Sequence, residues 1–243
     1  GHELFWFLKA ELDIDPHNIR FRIILEQFML LHGPKTHGFF RQCDLVNALK
    51  TVAYKVRDAK PSKRDEVLKK ELSSLYFPVG SILPINPSVH IRGLIIEKCK
   101  WLDSFTVPLW LVFENYDSDE DPIYVIFKAG DDLRQDALTV QMLQLMDNIW
   151  RNEGLDMHLT PYRVVATGKN CGLIEVVLNA ETTANIQKMA GGATAVFSLK
   201  PLTNWLIEHN KFEQNYEKAV ENFMFSMAGY CVATYVLGIG DRH

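Results

Sequence analysis

The sequence predicts an α+β protein in which helical segments flank one antiparallel sheet. Three observations carry this. Residues 2 to about 75 place apolar side chains at helical spacing, broken only by short polar or Gly/Pro stretches. Residues 94–178 hold five short apolar runs with a single helical pattern among them, and residues 179–243 return to helical spacing. The chain is 47% hydrophobic and 23% charged, the balance of an ordinary globular protein.

In order, Leu4, Phe5, Phe7, Leu8 and Leu12 form the apolar stripe of a first helix. Asp15-Pro16 is expected to start a second, with Phe21, Ile24, Leu25, Phe28 and Leu31 facing one way, and Gly33-Pro34 breaks it. A third runs from about Phe39 to Val56, and Pro61 opens a fourth, charged one through Leu75. Such antiparallel pairs resemble the end of an α-solenoid; a plain helical bundle fits the periodicity equally. Pro78, Pro84 and Pro87 impose an extended linker. The expected division is a helical segment 1–76, a linker 77–93, a small sheet domain 94–178 and a helical segment 179–243.

Strands are expected at Leu94–Cys99, Pro108–Phe113, Ile123–Lys128, Arg163–Ala166 and Leu173–Val177, with Thr167-Gly168-Lys169-Asn170 as a turn. The interposed helix, near 132–152, carries Leu138, Met142, Leu145 and Ile149 on one face, with Asp131 or Asp132 capping its start. Three more helices are expected near 181–189, 201–209 and 214–238. Phe223 to Ile239 carries no charge over 17 residues, but it is short for a membrane span and reads better as a buried helix. Ending at Asp241-Arg242-His243 would leave that helix partly uncovered, so the sequence is expected to be a piece of something longer.

A net charge of −4 argues against bulk nucleic-acid binding. Cys43, Cys99, Cys171 and Cys231 are scattered, without a C-x-x-C, and read as reduced, buried thiols of a cytosolic protein. A secretory signal is not expected from the charged opening segment.

The chemistry centres on Lys128, which closes an apolar strand and is followed by a turn and a helix bearing Asp136. A strand lysine oriented by a helix carboxylate is the device with which kinases hold nucleotide phosphates. The loop Trp101–Val107, between the first two expected strands, has the place of a phosphate-covering loop but no standard glycine series. Gly172–Val177 precedes a helical region as a lobe-connecting hinge does. Asp241-Arg242-His243 holds, in reversed order, the residue types of the protein-kinase H-R-D loop.

Several motifs resemble phosphoinositide 3-kinases: Lys-x-Gly-Asp-Asp-Leu-Arg-Gln-Asp at 128–136, Gly-Leu-Asp at 154–156, Leu-Thr-Pro-Tyr at 159–162, Gly-Leu-Ile-Glu-Val-Val at 172–177, and the run from Ala228 to His243. The hinge and terminal motifs favour class I over class II or the vesicular class. The resemblance implies the end of a helical domain, a kinase small lobe and the start of a helical large lobe, truncated. It implies ATP as phosphoryl donor, a membrane phosphoinositide as acceptor, and a cytoplasmic enzyme recruited to a membrane surface. A regulatory subunit and a small GTPase would bind regions outside this chain; nucleic acid is not expected. Ser104 would lie over the phosphates, Lys128 would bind them, and Asp136 would position Lys128. Trp110, Ile126 and Ile174 would line the adenine pocket, with Tyr162 at its deeper end. The Glu175 carbonyl and the Val177 N–H would bind adenine. Asp241 and His243 would form the catalytic loop, with neutral His243 taking the inositol 3-hydroxyl proton. A related protein Ser/Thr kinase, or a truncated non-catalytic interaction fragment, are the alternatives.

The sequence departs from the family in two places. Phe105, Thr106 and Val107 lack the lysine usual in the phosphate-covering loop. The family's magnesium ligands and activation loop are expected beyond His243. This chain incubated alone with ATP, magnesium and lipid is therefore expected to give no turnover, and a measurable lipid product would contradict that.

Overall fold

Helix α1 (His2–Ile14) buries Phe5, Trp6, Leu8 and Ala10, the inner part of the apolar stripe. Its end differs from the sequence expectation: Asp15 terminates α1, and helix α2 (Ile19–His32) starts later, where the Asn18 side chain accepts a 3.1 Å hydrogen bond from the Phe21 N–H. Asparagine satisfies a free helix-start donor, and Pro16 lies too far upstream to do so. Of the expected α2 face only Phe28 is buried; Ile24 and Leu31 stay exposed. Spacing specifies which residues share a face, not what covers it. A short 3₁₀ turn at Gly33–Lys35, entered through Gly33 at φ 52°, leads into α3 (Thr36–Asp58). Another at Pro61–Lys63 leads into α4 (Arg64–Ser73).

The computed structural model describes residues 1–78, 80–190 and 200–240. Within them the chain forms two compact units. The first comprises Gly1–Leu138 with Tyr162–Val176; the second comprises Thr139–Pro161 and the chain from Val177 onward.

The first unit holds a seven-stranded sheet of antiparallel pairs: β1 (Ser81–Leu83), β2 (Asn86–Leu94), β3 (Lys100–Trp101), β4 (Leu109–Asn115), β5 (Ile123–Ala129), β6 (Val164–Gly168) and β7 (Cys171–Glu175). The path is β1-β2-β4-β5-β7-β6, with β3 pairing to the start of β4. Two expectations are corrected here. Residues 81–93, expected in an extended linker, fall in β1, β2 and the turn between them instead. Leu83 pairs with Asn86 and Ile82 with His90, so Pro87 falls in the irregular part of the ladder, where a missing N–H does no harm. The strand expected over Leu94–Cys99 is instead a 3₁₀ turn, Ile96–Lys98, between β2 and β3. Its apolar residues serve packing, and a short apolar run does not distinguish the two.

Helices and sheet of this unit share one core. Trp6, Leu49, Val56, Leu68 and Leu72 from the helices join Leu83, Ile91, Leu109, Leu111, Phe113, Val125, Phe127 and Leu173 from the strands. Gln42, buried among them, accepts at Oε1 from the Trp6 indole N–H at 3.4 Å and faces His2 Nε2 at 2.9 Å, so its amide is not left unpaired.

Helix α5 (Arg134–Asn152) runs from the first unit into the second. Its expected apolar face is corrected: Leu138, Leu145 and Ile149 are more than half exposed, and the helix buries Val140 and Asp147 instead. The second unit adds α6 (Thr183–Met189), α7 (Lys200–His209) and α8 (Glu213–Val236). Thr182 caps α6 by accepting from the Asn185 N–H. The buried-helix expectation for Phe223–Ile239 is also corrected. Only Gly229 and Ala233 of α8 are buried, while Met224, Tyr235 and Val236 are exposed. Gly229 is where the chain comes close: an added Cβ would stand 2.9 Å from the Met157 side chain and 3.0 Å from Leu159. Among the described residues, no helix is long and apolar enough to cross a membrane. All four cysteines are free; Cys99 and Cys171 are buried, but Cys43 is only partly buried and Cys231 is exposed.

The closest approach in the sheet is at Gly172, where a Cβ would collide with the Val165 carbonyl and stand 2.9 Å from Leu133 Cδ1. Gly172→Ala should lower stability by about 1–3 kcal/mol through overpacking. Gly93→Ala, with nothing within 4 Å of the added atom, should shift the denaturation midpoint far less. Equal midpoints for the two variants would contradict the β6–β7 register.

Candidate nucleotide site

Strand β5 sets the geometry. Val125, Phe127 and Ala129 are buried on one face, so Tyr124, Ile126 and Lys128 lie on the other, half-buried face. Trp110 of β4 pairs with Ile126, and Ile126 pairs with Ile174 of β7. Directly opposed residues share a face, so Trp110, Ile126 and Ile174 form an apolar row across three adjacent strands. Lys128 lies two residues along that face, opposite Gly172. Glycine is required there because Leu133 and the Val165 carbonyl already fill the space a side chain would take.

Beside this face, the loop between β3 and β4 is closed at its base by the Leu102 N–H donating to the Pro108 carbonyl at 2.8 Å. A tighter turn at its tip is closed by the Val107 N–H donating to the Ser104 carbonyl at 3.1 Å. Val107 is buried and holds φ at 50°, a backbone state costly for a β-branched residue. Phe105 is almost fully exposed at the tip, and Ser104 is exposed beside it.

The Lys128 ammonium lies 3.2 Å from Asp131 Oδ2, and the Thr106 hydroxyl donates to the same oxygen at 3.2 Å. Gly130, at φ +116°, makes room for this: a Cβ there would stand 3.3 Å from Thr106 Cγ2. Its N–H donates to the Asn170 carbonyl at 2.7 Å, tying the turn to the β6–β7 hairpin. Among the described residues no ion pair joins Lys128 to Asp136, which is exposed on the first turn of α5. The two aspartates read as possible helix caps thus divide their work. Asp132 accepts from the Arg134 N–H at 3.1 Å and grips its guanidinium, which also reaches Glu11 of α1 at 2.9 Å. The Arg134 hydrogen bonds hold the Asp132 carboxyl below its usual range, and Asp132, then Glu11, push the Arg134 pKa up. Asp131 faces the lysine. Its signal in the sequence was its place three residues beyond Lys128 across a glycine turn.

The Lys128 and Asp131 side chains are each about one-third exposed. A pair so placed contributes at most about 1 kcal/mol. The ammonium has three donors, and Asp131 occupies one, so it can serve an incoming anion without abandoning the carboxylate.

The remaining expected site residues are placed as follows. Tyr162 stands just before β6, partly exposed. Glu175 ends β7; its N–H donates to the Arg163 carbonyl at 2.8 Å, and its carboxylate accepts from the Arg163 N–H at 2.9 Å. Val177 is exposed and belongs to the second unit. Asp241 and His243 lie outside the described residues.

Residues 122–243 match the family of phosphatidylinositol 3- and 4-kinases. Over its whole length the chain is 51% identical to phosphatidylinositol 3-kinase 1 and 49% identical to phosphatidylinositol 3-kinase 2, both of Dictyostelium discoideum. It is 45% identical to the human phosphatidylinositol 4-phosphate 3-kinase C2 domain-containing subunit beta. The chain spans 16%, 13% and 15% of the length of these relatives. Half of its length matches the family model, and that half contains β5 with Lys128, the Gly130 turn and α5; the chain belongs to the phosphatidylinositol 3- and 4-kinase family.

Proposed function

We propose that this chain is part of the catalytic subunit of a phosphatidylinositol 3-kinase, nearest class I, that transfers the ATP γ-phosphoryl group to the inositol 3-hydroxyl at a membrane surface. The observation that carries the reading is Lys128 standing on the same sheet face as the Trp110–Ile126–Ile174 row. A flat apolar row suits a purine, and a cation about two residues farther along, roughly 6–7 Å at strand spacing, suits the phosphates attached to it. The acceptor comes from the relatives, which carry phosphatidylinositol 3-kinase in their names.

In this reading Trp110, Ile126 and Ile174 hold the purine, with Tyr162 shaping the deeper end. The Glu175 carbonyl and the Val177 N–H supply its backbone hydrogen bonds. Lys128 balances phosphate charge, with Asp136 orienting it as the family resemblance suggests and Ser104 reaching over the phosphates from the loop. Asp241 and His243 enter through that resemblance alone, His243 as the base that accepts the 3-hydroxyl proton. Magnesium is typical of such chemistry. Among the described residues no group of three or more His, Cys, Asp or Glu side chains is arranged to hold a metal ion.

In the full-length enzyme, Lys128→Ala should lower lipid phosphorylation about 100- to 1,000-fold, as loss of a preorganised charge does. The thermal midpoint should stay close to wild type, because the side chain is outside the core. Turnover within a few-fold of wild type would reject the role of Lys128.

A further inference from the structure

We propose that Asp131, latched by Thr106, is a second positioning residue of Lys128 beside Asp136, and that this latch couples the β3–β4 loop to the lysine. The inference rests on the reading of Lys128 as the phosphate-binding cation and adds to it a carboxylate and a hydroxyl.

The observation is a shared atom. Asp131 Oδ2 receives both the Lys128 ammonium and the Thr106 hydroxyl, each at 3.2 Å. Three segments therefore meet at one oxygen: the end of β5, the turn before α5, and the loop before β4. The surroundings restrict each of them. Lys128 is held by ladder pairing to Gly172. The turn is held by the Gly130 N–H on the Asn170 carbonyl. The loop is held by its two backbone hydrogen bonds, with Val107 buried at positive φ. Little freedom is left for the Asp131 carboxylate to swing away, and none of the three side chains is fully exposed.

Thr106 belongs to the stretch Phe105-Thr106-Val107 that carries no lysine. A threonine cannot add positive charge beside the phosphates. It can fix a carboxylate through one hydrogen bond, and a fixed carboxylate confines a lysine whose stem has four rotatable bonds. In this chain the loop thus acts on the nucleotide indirectly, by restricting where Lys128 can stand. Lys128 keeps two donors for phosphate oxygens while Asp131 takes the third.

The test uses steady-state kinetics of the full-length enzyme at varied ATP. Asp131→Ala should raise the KM for ATP about tenfold with a smaller change in kcat, because it loosens binding of a group that remains present. Thr106→Val, which removes only the hydroxyl, should raise it in the same direction by about threefold. The double variant should match Asp131→Ala alone, since both act through one oxygen. Thermal midpoints measured alongside separate this from general loosening, and Thr106→Val keeps the test open should Asp131→Ala fold poorly.

An ATP KM that is unchanged or lowered in Asp131→Ala overturns the proposal, as does full additivity in the double variant. So does a pattern in which Asp136→Asn raises the ATP KM and Asp131→Ala does not. If Lys128→Ala itself retains normal turnover, the phosphate-site reading has failed and takes this proposal with it. An impaired Lys128→Ala beside a silent Asp131→Ala overturns the latch alone.

Discussion

An ammonium group at the end of a β-strand must choose between water and a partner. Lys128 stands between these limits, about one-third exposed, with its charge against Asp131. Full burial would make the charge costly, and full hydration would leave it a weak ligand. The surrounding structure holds it at this depth. The β4–β5–β7 register sets its neighbours, Gly172 opposes it where Leu133 and the Val165 carbonyl leave no room for a side chain, and the turn through Gly130 brings a carboxylate back to it.

The helical segment contributes to this placement although it carries no candidate catalytic group. Helices α1, α3 and α4 bury Trp6, Val56 and Leu72 in the same core as Leu109, Phe127 and Leu173. One face of β5 is thereby fixed by packing, and strict alternation directs Lys128 to the other. Arg134 adds a second tie, bridging Asp132 and Glu11 at the start of α5. Such exposed pairs stabilise little individually, about 0–1 kcal/mol. Their value here is positional, since Arg134 holds the segment that begins two residues after the Asp131 turn.

Much of this was legible in the sequence. The apolar run Ile123–Phe127 closed by Lys128, the glycine turn and the helical spacing that follows place a lysine at a strand end on sequence grounds alone. The four opening helices were equally plain, because their spacing is long and regular. Other features were not legible. β1 pairs with β2 within ten residues, but β2 is held in the sheet by β4, 19 to 24 residues farther on, and local proline content obscures both pairings. The Asp131 contact depends on a loop 25 residues earlier in the chain, and a Thr–Asp pair at that separation leaves no periodic trace. The exposure of Leu138, Leu145 and Ile149 was hidden for another reason: an apolar stripe looks the same whether or not anything covers it.

The central claim is that the face of β5 bearing Lys128 receives a nucleotide triphosphate. An acyl-phosphate derivative of ATP, which transfers its acyl group to a lysine amine held beside the phosphates, can be applied to the full-length enzyme and the modified peptide mapped by mass spectrometry. The account predicts modification concentrated at Lys128 and suppressed by excess ATP. Modification spread over surface lysines such as Lys63 or Lys169, with Lys128 unlabelled and ATP without effect, would contradict it.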